Sequence, residues 1–133
     1  MREILFRGKR LDTGEWTYGF YYQRENPFRE DGQPVKHCIM DATPFGFEVD
    51  PYTVGQYTGL LDKNGTKVFE GDIILIYRID DVTRLERVVF EMGCFYGKEK
   101  ILAGYNLKPL ESYCYAHGPV MEVIGNIYDK TTV

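Results

Sequence analysis

The sequence predicts an all-β, mainly antiparallel fold with at most short helical turns, and three observations carry that prediction. Aromatic residues make up 15% of the chain, with 11 tyrosines and 8 phenylalanines, and such rings suit a pleated surface better than a helix. The 14 glycines and 6 prolines interrupt any long helix, and no tract places apolar residues at three and four spacings. Between positions 50 and 78 two strand-like runs flank Asn64-Gly65, the dipeptide that most easily supplies positive φ angles to a tight hairpin turn. The second run is launched by Glu70-Gly71-Asp72, where Gly71 lets the chain kink.

Taken in order, residues 2–10 and 15–23 read as strands of a first hairpin joined at Asp12-Thr13-Gly14. In the second of these, Trp16, Tyr18, Phe20 and Tyr22 share one face by the two-residue period, and this aromatic face is expected to pack inward. Residues 24–34 combine charge, Pro and Gly and are expected to be an exposed loop with a mobile tip. A short strand at 35–40 leads to a connection at 41–51 carrying Pro44, Gly46 and Pro51, where a subdomain boundary is expected. Strands at 53–60 and 67–79 surround the turn 62–65. Glu70-Gly71-Asp72 before a β-branched run is a pattern of small SH3-like barrels, with the Asp72 side chain tying the turn. The run 84–92 alternates Val88, Phe90 and Met92 against charge, and Gly93 marks a bulge or turn before 94–97. Residues 98–118 are the least regular, with one or two helical turns expected around Leu107, Leu110, Tyr113 and Cys114 after Asn106. A strand at 120–128 closes the chain.

At 133 residues and 15.5 kDa the chain suits one domain, 1–133, with a hairpin region at 1–50 and a barrel region at 51–133. A net charge of -4 and a pI near 5.2 set the average field against phosphate backbones and anionic membranes. The longest clean apolar run, at 73–77, is far short of the roughly 20 residues a bilayer span needs, and no secretory signal is visible at the start. Three cysteines, Cys38, Cys94 and Cys114, without close pairing fit reduced and buried thiols.

The runs Thr53-Val54-Gly55-Gln56-Tyr57-Thr58-Gly59-Leu60, Asp62-Lys63-Asn64-Gly65 and Glu70-Gly71-Asp72-Ile73 resemble the YopX-like family of phage and prophage proteins. Phe6-Arg7-Gly8-Lys9 and Trp16-Thr17-Tyr18-Gly19 look like its opening strands, and Glu122-Val123-Ile124-Gly125-Asn126-Ile127-Tyr128 like its closing strand. The resemblance implies an SH3-like barrel with an N-terminal β-hairpin extension, encoded in a bacteriophage genome or a bacterial chromosome, and the missing secretory signal with the unpaired cysteines sets the expected place as the cytoplasm of the bacterial host. It carries over no catalytic residue, because the shared pattern consists of turn glycines, strand aromatics and corner acids.

Chemistry-bearing candidates are few. Cys114-Tyr115-Ala116-His117 has the spacing of half a zinc site, but His37 and Cys38 point to opposite faces of a strand and do not complete it, so no metal and no cofactor is expected. A Cys94, Cys114 and His117 arrangement lacks an orienting group, Ser112 is the lone serine, and no phosphate-cradling glycine loop is present. The acid pairs Asp80-Asp81, Glu48 with Asp50, and Glu70 with Asp72 read as solvated turns. The expectation is therefore a non-enzymatic phage accessory protein that binds protein or self-assembles into a homo-oligomer, with a host or phage protein as the other possible partner, and with Tyr57, Phe95 and Tyr96 facing the ligand. The alternative is a single-stranded nucleic-acid-binding barrel using Arg84, Arg87, Phe95, Tyr96, Lys98 and Lys100, whose rings and charges interleave, and a small enzyme ranks third.

Overall fold

The computed structural model describes residues 3–29, 31–42, 46–77, 83–115 and 117–129. Pro44, Ala116, the Asp80-Asp81 pair, the end of the expected strand 67–79 and the last residues, 130–133, lie outside them. The chain divides into two compact units, Met1–Tyr57 and Thr58–Val133.

The first unit is an antiparallel sheet of β1 (Phe6–Lys9), β2 (Trp16–Glu25), β3 (Val35–Met40) and β4 (Phe47–Glu48), in the order β4-β3-β2-β1, with Gly55 and Gln56 of β5 (Gly55–Leu61) paired to β1. A 3₁₀ turn at Pro51–Thr53 replaces the start of the strand expected at 53–60. Asp50 caps it by accepting from the Tyr52 N–H at 3.0 Å, and Pro51 fits its first turn, where no N–H is needed.

The aromatic face of β2 does not pack inward as expected. Tyr18 and Phe20 are 45% and 67% exposed, whereas Thr17 on the opposite face is buried. Close approach decides which face is covered. A Cβ on Gly8 would lie 3.0 Å from Val49 Cβ, and one on Gly19 would lie 1.9 Å from the Met40 carbonyl oxygen, so small residues are needed on the packed side and the rings fall on the other. The 24–34 loop is closed by Asn26, itself buried, whose amide donates to Asp31 Oδ1 at 2.8 Å and to the Gln33 carbonyl at 3.0 Å.

The second unit contains β6 (Lys67–Phe69), next to β5, and an antiparallel sheet of β7 (Asp72–Ile76), β8 (Arg84–Glu91), β9 (Cys94–Ile101), β10 (Gly104–Pro109) and β13 (Met121–Asn126). Its order is β10-β9-β8-β7-β13, so four strands form a meander and the last returns beside the first. No pairing among the described residues closes this sheet into a barrel. A 3₁₀ turn at Leu110–Tyr113 follows β10, and a small ladder of β11 (Cys114–Tyr115) and β12 (Gly118–Pro119) precedes β13. The helical turn expected in 98–118 is thus present after Pro109, but Leu107 lies in a strand. The core is Val68, Ile74, Ile76, Val88, Leu110, Tyr113 and Met121.

Turns hold this unit in register. Asp62 is buried and accepts from three backbone N–H groups, of Asn64 and Thr66 through Oδ1 and of Val123 through Oδ2, at 2.9, 2.8 and 2.9 Å. Gly65 takes φ 81 while Asn64 keeps a negative φ, so the loop is a turn followed by one left-handed residue rather than the expected pair of positive angles. Asp72 ties its turn as expected, accepting from the Phe69 N–H at 2.7 Å, and Gly71 sits at φ 91 under the Tyr128 ring. Met92 and Gly93 both have positive φ, at 52° and 78°, which makes a tight hairpin between β8 and β9. That turn leaves Met92 and Phe90 exposed, against the half-buried alternation expected there, and it exposes Cys94, the one thiol of the three that departs fully from the expected burial.

Candidate functional site

The residues expected to face a ligand do not share a surface. Tyr57 is buried, at 7% exposure. Phe95 and Tyr96 are neighbours on β9 and therefore point to opposite sides of the sheet. Phe95 pairs with Phe90 and packs against the core, and Tyr96 pairs with Val89 on the outer side.

The same two-residue period divides the expected basic patch. Arg84 and Arg87 are three apart on β8, so one faces inward and the other outward. Arg87 stands opposite Lys98, and Lys100 opposite Tyr105, so Arg87, Tyr96, Lys98, Lys100 and Tyr105 collect on the outer face of β8, β9 and β10. There the Lys98 ammonium lies 3.3 Å from Glu91 Oε1 and 4.5 Å from the centre of the Tyr105 ring.

Arg84 turns inward into a polar network that sequence reasoning missed. The Tyr113 hydroxyl donates to the Glu86 carboxylate, 2.7 Å from Oε1 and 2.8 Å from Oε2, and accepts from Arg84 Nη2 at 3.1 Å. Arg84 also pairs with Glu86 at 3.3 Å and with Glu99 at 3.3 Å. The Glu86 side chain is 1% exposed, and Gly97 makes room for it, since a Cβ there would fall 2.0 Å from Glu86 Oε1. Burial, reinforced by the Glu86 carboxylate that takes its hydrogen bond, pushes the Tyr113 hydroxyl far above the usual phenol range and keeps it neutral. Three hydrogen-bonded groups therefore pin the 3₁₀ turn to β8.

Cys114 and His117 gain no third ligand: no group of three or more His, Cys, Asp or Glu among the described residues could hold a metal ion. Burial, and secondarily Glu111, pushes the Cys114 thiol up, away from the reactive thiolate. Glu48 is ion-paired with Lys36 at 3.9 Å, while Asp50 and Asp72 are occupied as turn caps.

The surface that sequence reasoning placed inside is an exposed aromatic face of the first unit. Trp16, Tyr18, Phe20 and Tyr22 lie along β2, with Met40 directly across from Phe20 and Cys38 across from Tyr22. Arg7 and Lys9 stand opposite Tyr18 and Trp16 on β1, with their cations 4.5 and 5.5 Å from the Trp16 ring centre. The row is thus rigid at its Trp16 end and open at Phe20.

Residues 5–132 match the family described as YopX protein. The chain belongs to the YopX family. Among solved structures it is similar to the crystal structure of protein EF1440 from Enterococcus faecalis, at 19% identity, covering 96% of this chain and 94% of that one, with a TM-score of 0.48. No curated protein matches it. In this YopX chain the glycine and acid motifs sit at the turns around Asp62, Gly71 and Asn126, while the network around Glu86 and the aromatic row of β2 are built on strands. No helix among the described residues is long and apolar enough to cross a membrane.

Proposed function

We propose that this YopX protein is a non-enzymatic phage or prophage accessory protein of the host cytoplasm that works as a protein-binding, self-assembling module through the aromatic face of β2 and β3. The observation that carries the reading is that face: Phe20 is 67% exposed, Tyr18 45% and Met40 36%, on one side of one sheet. Rings present much contact area at small side-chain entropy cost, and contiguous apolar patches on soluble proteins mark contacts. A second copy is the first partner to test, since self-association through one patch is the commonest assembly. The strand order of the second unit, with a 3₁₀ turn before the returning strand, supports an SH3-like barrel as its finer description. Light scattering at micromolar concentration tests the assembly. A mass that is a multiple of 15.5 kDa and falls to 15.5 kDa on Phe20→Asp supports it, and 15.5 kDa for the parent protein overturns it.

A second reading, single-stranded nucleic-acid binding, is favoured by the outer face of β8, β9 and β10, where Arg87, Lys98 and Lys100 flank Tyr96 and Tyr105. A salt-sensitive gel shift weakened by Lys98→Ala and Tyr96→Ala supports it, and no shift at low salt removes it.

A further inference from the structure

We propose that the cleft within the second unit is a binding site for a small ligand made of a flat apolar ring carrying one anionic group, a carboxylate or a phosphate. The cleft is open on one side and has a volume of about 1020 Å³, the size of cavities that take ring-bearing small molecules. Ile76 and Val120 form apolar wall, and Tyr77, Tyr113 and Tyr115 bring three rings to it. Tyr77 and Tyr113 are held in place, the first by its hydrogen bond to Glu122 and the second by Glu86. A ring entering the cleft therefore meets ordered faces and little rotamer entropy is lost.

Charge decides the second part of the ligand. Among the described residues, the side chains of fixed charge that line the cleft are Arg84 and Lys108, His117 is the other nitrogen base at its wall, and no carboxylate lines it. Arg84 is balanced by Glu86 and Glu99 behind it, so it supplies oriented donors more than net charge. Lys108, across from Gly97 on β10, has no ion pair among the described residues and is the partner for one negative charge. Ser112 lies at the rim and is exposed, its hydroxyl donating to the Pro109 carbonyl at 2.6 Å.

The probe is 8-anilinonaphthalene-1-sulfonate, a fused ring with one negative charge, followed by fluorescence and by amide NMR shifts, with the neutral N-phenyl-1-naphthylamine alongside. The charged probe is expected to bind one to one and to shift the amides of Lys108, Ser112 and Gly118. Ser112→Trp, which fills the cleft from an exposed position, should weaken both probes about tenfold or more, whereas Lys108→Ala should do so for the charged probe alone. Phe20→Ser, in the other unit, should change neither, so this test stands apart from that of the β2 face. Displacement at about 10 mM by phenyl phosphate or by benzoate names the anionic group, fragments of this size reaching millimolar affinity. The amide spectrum of each variant must show the folded pattern. Shifts elsewhere, affinity unmoved by Ser112→Trp, equal loss of both probes in Lys108→Ala, or displacement by neither fragment would overturn the proposal.

Discussion

Replacing Tyr113 by Phe deletes one oxygen and leaves the ring, so the change isolates the hydroxyl without opening a cavity. That hydroxyl donates to both Glu86 oxygens and accepts from Arg84. Loss of a hydrogen bond to a charged group costs about 1.5–3 kcal/mol, and a carboxylate left short of donors adds roughly 1 kcal/mol, a low figure because Arg84 stays beside it. The expected destabilisation of the second unit is therefore about 2.5–4 kcal/mol. Glu86→Gln in the Tyr113→Phe background should recover part of it, because a neutral amide is less costly to leave half-bonded, and the coupling in the four-way cycle should be of similar size. The choice of assay follows from the sequence. Trp16 is the only tryptophan and lies in the first unit, so its fluorescence does not report directly on the second. Native-state hydrogen exchange of the β7 and β8 amides reads the right unit. A loss below about 0.5 kcal/mol, the range of an ordinary surface substitution, would refute the reasoning.

The remaining predictions concern turns, pH and thiols. Gly71→Val meets both a φ of 91° and the Tyr128 ring 2.8 Å from the new Cβ, and should cost about 2–4 kcal/mol from the two effects together; an unchanged melting temperature would show the position is not constrained. Asp62→Ala strips the acceptor from three backbone N–H groups and should cost about 2–4 kcal/mol in urea unfolding, with Asp62→Asn milder. The native state holds the Tyr113 proton more tightly than the unfolded chain, whose phenol titrates at its ordinary value of 10.0. Its contribution is thus complete below that pH and is lost as pH rises above it, so the gap in stability between parent and Tyr113→Phe should narrow in alkali. Maleimide should label exposed Cys94 first, Cys114 more slowly because its thiol is pushed up, and buried Cys38 only on unfolding; Cys38 reacting first would contradict the packing of β3.

What could be read in the chain followed from how local its physical cause was. Gly71, Asp72, Gly65 and Gly93 act within a few residues, through φ preference or a side chain bonding its own turn, and each marks a reversal where the chain reverses. The strand 35–40 was legible for the same reason. Faces were harder, because alternation says which residues lie together and not which side is covered. On β2 that choice was made by Gly8 and Gly19, whose missing side chains admit Val49 and the end of β3, a contact no pattern within β2 announces. Residues 98–118 hid for a different reason. The inner face of β9 and β10 carries Gly97, Glu99, Asn106 and Lys108, so the apolar alternation that reveals a strand is absent. Of these, Glu99 is held by its ion pair with Arg84, which Glu86 and Tyr113 also hold, and Tyr113 arrives from a separate 3₁₀ turn. A half-buried polar face therefore erases the strand signal at the same place where it builds the network, and here the stretch where sequence patterning fails borders the cleft.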